Sequence, residues 1–344
     1  MPAVVDRCIQ QAIAQILTPI YEPLFSGASY GFRPRRGAHG ALRKCREYIP
    51  EGYHWAVDLD LEKFFDTVEH SKLIEVLSRT VKDGRVISLI HQYLNAGIQI
   101  GSTLQANETG VPQGGPLSPI LSNIMLNEMD KELESRGHKF VRYADDVMIL
   151  CRSKRGARRT MQTMARFIEE KLFLKVNRDK SQSTYISKVK FLGYSFYKKK
   201  GKGRLRVHQN SVSKMKAKIK ELTSRSNGWG NERRKTTLRQ YIIGWVNYFK
   251  LADINKLLIS LDKWYRRRLR MVIWKQWERN VTRMRNLINL GVDKFKAHEW
   301  ANTRKSYWHT ANSFILSTTI TTERLRKAGY LMLSDQYRKV STKT

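Results

Sequence analysis

Two stretches of the sequence gather carboxylates where strands end. One is RYADDVMIL, with Asp145 and Asp146 side by side between apolar runs; the other is DLDLEKFFD, which carries Asp58, Asp60 and Asp66. Neighbouring like charges repel, so a cluster of this kind asks for a compensating cation. Magnesium is a hard ion that takes oxygen ligands, usually one or two protein carboxylates completed by substrate phosphates. A pair of such ions suits the joining of nucleotides: one lowers the pKa of a primer 3′-hydroxyl, the other steadies the departing pyrophosphate. Two carboxylates on adjacent strand ends of a rigid sheet would hold them. Successive side chains diverge on a turn, so Asp145 and Asp146 need not both face a metal. Each stretch alone also has a plainer reading. Aspartate is common in hairpin turns because it tolerates unusual φ and bonds its own backbone, and DLDLEKFFD reads equally as a strand-to-helix junction with acidic caps. Between them lies GVPQGGPLSPILSN, where Gly114 and Gly115 let a backbone approach a nucleotide without a Cβ in the way. The same loop also reads as a turn with Pro116 or Pro119 at a helix start.

The elements that must position these groups follow from periodicity. Val5, Ile9, Ile13, Ile16 and Leu17 recur at helical spacing over residues 5–20, ended by Pro19. HWAVDLDLEKFF alternates like a half-buried strand and runs into a helix at SKLIEVLSRTV. ILSNIMLNEMDKELESRG reads as a helix stopped by Gly137, and HKFVRY with VMILC as a hairpin closed by ADD. A helix over about 155–172 leads to LKVNRDKS and the strand-like VKFLGYSFY. This order predicts an α+β core with an antiparallel sheet covered on one face.

The whole chain sets the partners. Its 344 residues carry 64 Lys and Arg against 30 Asp and Glu, a net charge of +34, and 41% hydrophobic residues mark it as globular. Such positive charge resists compaction unless a polyanion offsets it, which points to nucleic acid or an anionic membrane surface. No apolar run approaches the roughly 20 residues of a bilayer span, and MPAVVDRCIQQAIAQIL lacks the plain apolar core of a signal peptide. Cys8, Cys45 and Cys151 form neither a disulfide framework nor a zinc pattern. The expectation is a cytoplasmic, nucleoid-associated protein without a membrane partner. Residues 198–280 hold 24 Lys or Arg and five acids, and seven of the eight tryptophans lie between 229 and 308. This surface should bind RNA, with affinity that falls steeply with salt and with aromatics available for stacking. Trp245, Tyr248 and Phe249 recur at helical spacing and read as core, whereas Arg266, Arg267, Arg268 and Arg270 in KWYRRRLRMVIWKQW cannot all face inward.

Seven blocks in order, SYGFRPRRGAHGAL, DLDLEKFFDTVEH, GVPQGGPLSPILSNIML, FVRYADDVMIL, LKVNRDKS, VKFLGYSF and LRQYIIGWVNYFK, resemble the reverse transcriptase and maturase encoded by bacterial group II introns. The resemblance covers nearly the whole chain. It implies an α+β right-hand polymerase with partial fingers and palm over 1–197. An α-helical thumb and maturase-specific RNA-binding domain would occupy 198–280, followed by a basic C-terminal extension over 281–344. It implies an RNA-directed DNA polymerase that uses two magnesium ions, an RNA template, a DNA primer and deoxynucleoside triphosphates. It also implies a maturase that holds its group II intron RNA during splicing and mobility.

In that family the first catalytic aspartate lies five residues before an aromatic followed by Asp; here that is Asp60, with Phe65 and Asp66 following. Asp58 is then a neighbour. Asp145 and Asp146 complete the trio, Asp145 contacting metal more directly. The resemblance makes Phe65 a steric gate against a 2′-hydroxyl and Gln113, Gly114 and Gly115 the lining of the nascent base pair. Lys180 becomes a lysine acting on departing pyrophosphate, and FLGYSF (191–196) the strand that grips the primer end. A core phenylalanine, a surface lysine and a plain core strand would look the same at these positions.

Two departures stand out. MPAVVDRCIQQAIAQ matches the middle of the family's fingers, implying either a wrongly chosen start at Met1 or an N-terminally truncated member, and DQYRKVSTKT carries no paired CxxC or histidine-rich signature, implying one without the endonuclease domain. FRPRRGAH also carries Arg35 where the family often has glycine. The missing fingertip leaves an alternative, an RNA-binding maturase or degenerate remnant without polymerase activity, whereas intact Asp60, Asp145 and Asp146 favour the enzyme. The maturase-like block disfavours a defence-associated reverse transcriptase.

Overall fold

The computed structural model describes residues 3–96, 98–100, 103–105, 109–111 and 114–341, with backbone alone for 98–100 and 103–105. The chain divides into two compact units, residues 1–205 and 206–344. The division lies a few residues beyond the expected boundary near 197, and residues 281–344 fall in the second unit.

The first unit opens with α1 (Val4–Tyr21) and α2 (Ala38–Tyr48). β1 (Trp55–Leu59) leads into α3 (Phe64–Thr67), α4 (His70–Ser78) and α5 (Gly84–Asn95), and a short hairpin of β2 (Ile98–Ile100) and β3 (Thr103–Gln105) precedes α6 (Ser118–Ser135). Then come β4 (Lys139–Tyr143), β5 (Asp146–Cys151), α7 (Lys154–Lys171) and β6 (Gln182–Tyr185), with β7 (Tyr194–Lys199) and β8 (Lys202–Val207) forming a separate two-stranded sheet. The main sheet is antiparallel in the order β4-β5-β1-β6. Val57, Leu59, Val147 and Ile149 pack in one core with Leu121, Met125 and Met129 of α6 and Met164 and Ile168 of α7. Ala56, Val141, Met148 and Leu150 are buried as well. The expected single covered face is therefore corrected: alternate residues on both sides of β1 and β5 are out of water.

α1 corrects a second expectation. Its buried residues are Gln10, Ala14, Leu17 and Tyr21, whereas Val5, Ile9 and Ile16 are exposed. Pro19 lies inside the helix rather than ending it. Proline removes one amide donor near the helix end, and Thr18 Oγ1 donates to the Ala14 carbonyl at 2.6 Å. α6 is buried nearly all round, and Gly137 at φ 70° stops the chain just beyond it. Its buried asparagines are bonded: Asn127 Oδ1 accepts from the Ser26 amide at 3.2 Å, its Nδ2 donates to the Leu24 carbonyl at 3.1 Å, and Asn123 Nδ2 donates to the Gly31 carbonyl at 2.9 Å. A core helix thereby holds the SYGFRPRRG loop in place. Arg35 in that loop sits at φ 58°, the left-handed region that favours glycine.

The second unit is helical: α8 (Gln209–Leu222), α9 (Asn231–Phe249), α10 (Asn255–Gln276), α11 (Asn280–Asn289), α12 (Lys294–Ala301), α13 (Tyr307–Thr310), α14 (Phe314–Thr319), α15 (Thr322–Lys327) and α16 (Leu333–Ser341). Leu238, Ile242, Val246, Leu258, Leu261, Leu269 and Leu333 are buried, and buried Asp262 accepts from the Leu333 and Ser334 amides at 2.9 and 3.0 Å. A carboxylate at the orphan amides of α16 fixes the C-terminal segment to α10. Trp245 and Phe249 are buried, ring centroids 4.6 Å apart, while Tyr248, also expected in the core, is exposed. Among the described residues no helix is long and apolar enough to cross a membrane.

Candidate active site

β1 and β5 bring the acids together. Their register pairs Asp58 with Met148 and Leu59 with Val147, and one step further along sets Asp60 opposite Asp146. The charges respond to one another. The Asp146 carboxyl lies above its usual range, first because of burial and then because Asp145 and Asp60 are negative. Asp58 is pushed up to about 6 by burial; its bond with Gln182 pulls the other way, and Asp146 and Asp60 add to the rise. Asp146 thus feels both Asp145 and Asp60, and Asp58 feels Asp146 and Asp60.

Asp60 is held by its backbone. Its amide donates to Ser181 Oγ at 3.1 Å, and its carbonyl accepts from the Asn177 amide at 2.9 Å. Asn177 Oδ1 in turn accepts from the Lys180 amide at 3.1 Å, and its carbonyl from the Ser181 amide at 2.9 Å. The NRDKS turn is therefore tied to the end of β1, with Lys180 Nζ 3.8 Å from Asp60 Oδ2. An exposed lysine at that distance is worth little to stability; it sets a positive charge beside Asp60. Lys190, which sequence reasoning missed, also acts on this cluster, its charge lowering both Asp58 and Asp146.

The hairpin turn is strained and braced. Ala144 sits at φ 56°, where two-residue hairpins prefer glycine or asparagine, a local cost of order 1–2 kcal/mol. Arg142, fully buried, donates through Nη1 to the Ala144 carbonyl at 3.0 Å and to Asn123 Oδ1 at 2.9 Å. Its Nε and Nη2 bond both oxygens of equally buried Asp130, the shortest at 2.6 Å. Gly31 lies so close behind the turn that a Cβ there would run into the Ala144 amide nitrogen. Strain held by surrounding bonds is typical of functional turns.

Phe65 is half-buried, edge-on to Phe64 at 5.3 Å, and its carbonyl accepts from the Val111 amide at 2.5 Å. Buried His70 bonds the Gly110 carbonyl at 2.6 Å and Asn95 Oδ1 at 2.8 Å, so the start of the glycine-rich loop docks on the Phe65 turn. Gly114 is exposed at φ 89°, whereas Gly115 is buried where a Cβ would meet Gln10 of α1. Gln113 lies outside the described residues. The expected strand at 191–196 is half a turn: Phe191 and Tyr194 exchange backbone bonds of 3.0 and 2.9 Å around Leu192 and Gly193, both at positive φ, and β7 begins only at Tyr194.

The donor set suits magnesium, being all carboxylate oxygen and electrostatically crowded. Among the described residues no three His, Cys, Asp or Glu side chains close around one point, so water or substrate phosphate would complete any coordination shell, as is usual for that ion.

The arginines of α10 are busy with the protein itself. Arg267 Nε and Nη2 donate to the Trp308 carbonyl at 3.2 and 3.0 Å, Arg270 Nε to the Ile320 carbonyl at 2.9 Å, and Arg268 to Thr223 Oγ1, the Thr223 carbonyl and the Lys220 carbonyl at 2.9–3.0 Å. All four, Arg266 included, are neither fully buried nor fully exposed.

Residues 1–196 match the family model described as reverse transcriptase (RNA-dependent DNA polymerase). The match takes in more than half of the chain, which belongs to the reverse transcriptase family, and its α+β first unit is that family's polymerase fold. Residues 212–291 match a second model, the group II intron maturase-specific domain. Among relatives, protein YkfC of Escherichia coli (strain K12) is 31% identical over 248 residues, 60% of this chain and 65% of that protein. Group II intron-encoded protein LtrA of Lactococcus lactis subsp. cremoris is 28% identical over 288 residues, 65% of this chain. The chain thus spans 65% and 46% of the length of these two relatives. Apo telomerase from Candida tropicalis is a solved structure with 12% identity, covering 96% of this chain and 61% of that one at a TM-score of 0.47, too distant to add to the assignment.

Proposed function

We propose that the chain is an RNA-directed DNA polymerase that also binds its group II intron RNA as a maturase, aiding splicing and mobility. The observation that supports the polymerase reading is that Asp146, at the start of β5, feels the charges of Asp145 and of Asp60 at the end of β1, in a family polymerase fold. Asp60, Asp145 and Asp146 would hold two magnesium ions. Bound there, magnesium supplies Lewis acidity toward the primer 3′-hydroxyl and charge neutralisation for the leaving pyrophosphate. The chain's own residues do the rest. Ser181 and Asn177 fix the direction of Asp60, and Arg142 holds the turn that presents Asp145. Lys180 and Lys190 bring positive charge, and Lys180 a proton, to the side of the cluster where phosphate charge develops. Phe65 would act as the gate against a ribose 2′-hydroxyl, and Gln113, Gly114 and Gly115 would line the nascent pair.

The partners in this reading are an RNA template, a DNA primer, deoxynucleoside triphosphates and the intron RNA, with a nucleoid-associated location following from them. The match over 212–291 supports intron RNA as ligand of the second unit, where Arg266, Arg267, Arg268 and Arg270 contribute positive potential. Splicing help is then binding, with the RNA performing its own transesterification. Primer extension on an RNA template with deoxynucleotides and magnesium tests the reading. Wild type should extend and Asp145→Ala should not. A wild type as silent as the variant that still binds intron RNA would leave a maturase without polymerase activity.

A further inference from the structure

The second unit contains a concave, positively charged site that the activity above does not use. The segment joining α8 to α9, residues 223–230, closes over a cavity of about 330 Å³ lined by Lys220, Ser224, Arg225, Arg268, Met271 and Trp308. Its volume sits at the lower end of small-ligand sites. Three of those residues are cationic and none is acidic. Glu221, next in sequence to Lys220, pairs with Lys218 at 2.6 Å. Arg268 Nη2 donates to the Lys220 and Thr223 carbonyls at the end of α8, and the charge of Arg225 presses on it. Behind the segment, Arg234 is buried, with Nη2 on Asn227 Oδ1 at 3.1 Å, while its Nε and Nη1 find no acceptor among the described residues. The cavity lining therefore carries positive charge and no carboxylate, which an anion would balance.

The wall is aromatic as well as basic. The Arg267 guanidinium lies 3.8 Å from the Trp308 ring centroid, fixing the indole, and Arg225 lies 5.2 Å from the ring of neighbouring Tyr307. Met271 adds a polarisable apolar floor. A cation cluster beside a braced indole, in a hollow rather than on a flat face, fits one unit of a strand: a phosphate on the bases and a splayed nucleobase against the ring. A duplex keeps its bases stacked inside and offers only phosphates.

We infer that this cavity is a binding site for an unpaired nucleotide of RNA, with Lys220 and Arg225 taking its phosphate and Trp308 with Met271 taking its base. The inference rests on the RNA-binding reading of the second unit and narrows it to a place and a kind of RNA. Lys220 and Arg225 are exposed, so removing their charge leaves the packing intact.

The test uses the full chain, a fluorescein-labelled single-stranded RNA 12-mer, and the blunt duplex of the same sequence. Lys220→Ala/Arg225→Ala should weaken single-strand binding about tenfold at 0.1 M salt and lower the salt slope by about 0.7, the share of one phosphate contact. Duplex binding should change much less. Lys256→Ala/Lys263→Ala, an equally exposed pair on α10, controls for net charge. Trp308→Phe, read on the 12-mer and on the same strand carrying abasic riboses, should shrink the advantage of the strand with bases. If the control pair costs as much as the cavity pair, or the cavity pair loses duplex and single strand alike, the site is refuted while RNA binding stands. If wild type fails to bind the 12-mer at all, the inference and the RNA reading fall together.

Discussion

Replacing Asp58 by asparagine removes one charge from the acidic cluster while keeping the side chain's shape and a group able to bond Gln182. In the wild type that carboxyl is pushed from 3.8 up to about 6, chiefly by burial, with Asp146 and Asp60 adding to the rise. A displacement of about two pH units corresponds to about 3 kcal/mol, an upper bound because water reaches part of the side chain. The sign follows from proton uptake. The folded chain holds this proton more tightly than the unfolded chain, so folding binds protons between the two values. Asp58's contribution is complete below pH ~4 and is lost as pH rises through ~6. Urea denaturation in chelator, from pH ~4 to ~7.5, reads the difference between wild type and variant, in which other groups cancel. Asp58→Asn should match wild type at the acid end and be the more stable by up to about 3 kcal/mol near pH 7. Magnesium should narrow the gap by offsetting the repulsion from Asp60 and Asp146. A difference that stays flat with pH, or a wild type that is the more stable at neutral pH, refutes the cluster's electrostatics.

Asp130→Ala strands the Arg142 guanidinium in the core, and urea denaturation should register a loss of about 3–5 kcal/mol; a loss below about 1 kcal/mol would contradict the buried-pair geometry. Gly31→Ala drives a methyl into the Ala144 amide, so it should cost about 1–3 kcal/mol and slow primer extension, whereas Gly27→Ala, where a Cβ meets nothing within 4 Å, should do neither. Lys180→Ala should slow single-nucleotide addition about a hundredfold with RNA affinity unchanged; an unaltered rate would remove Lys180 from the chemistry.

Much of the site was legible because its chemistry is local. ADD between two apolar runs and DLDL at a strand end name their own positions, and antiparallel pairing in register then brings them together. What stayed hidden depends on tertiary partners. α1 carries apolar residues on more than one face, so periodicity identified a helix without saying that Gln10, Ala14, Leu17 and Tyr21 are the side that is buried. Arg142 reads as a surface cation in a strand until Asp130, twelve residues earlier, turns out to meet it in the core. Lys190 gives no signal alone; the turn at Leu192 and Gly193 that follows it is equally consistent with a plain strand. The arginines of α10 showed only that they could not all point inward, and carbonyls of segments far along the chain decide what most of them hold.

The Asp60 amide is bonded to a serine 121 residues further on, and β1 has β5 on one side and β6 on the other. This central strand therefore has neither neighbour until residue 146 has been made, and only β5 until β6 follows at 182–185. It must wait on the ribosome until residue 185 or so has emerged, with loop closures over long separations still to be made. Chains cut short by premature termination ahead of that point would display an unpaired strand and a wrongly exposed acidic tip, and would be the aggregating fraction in any expression of this protein.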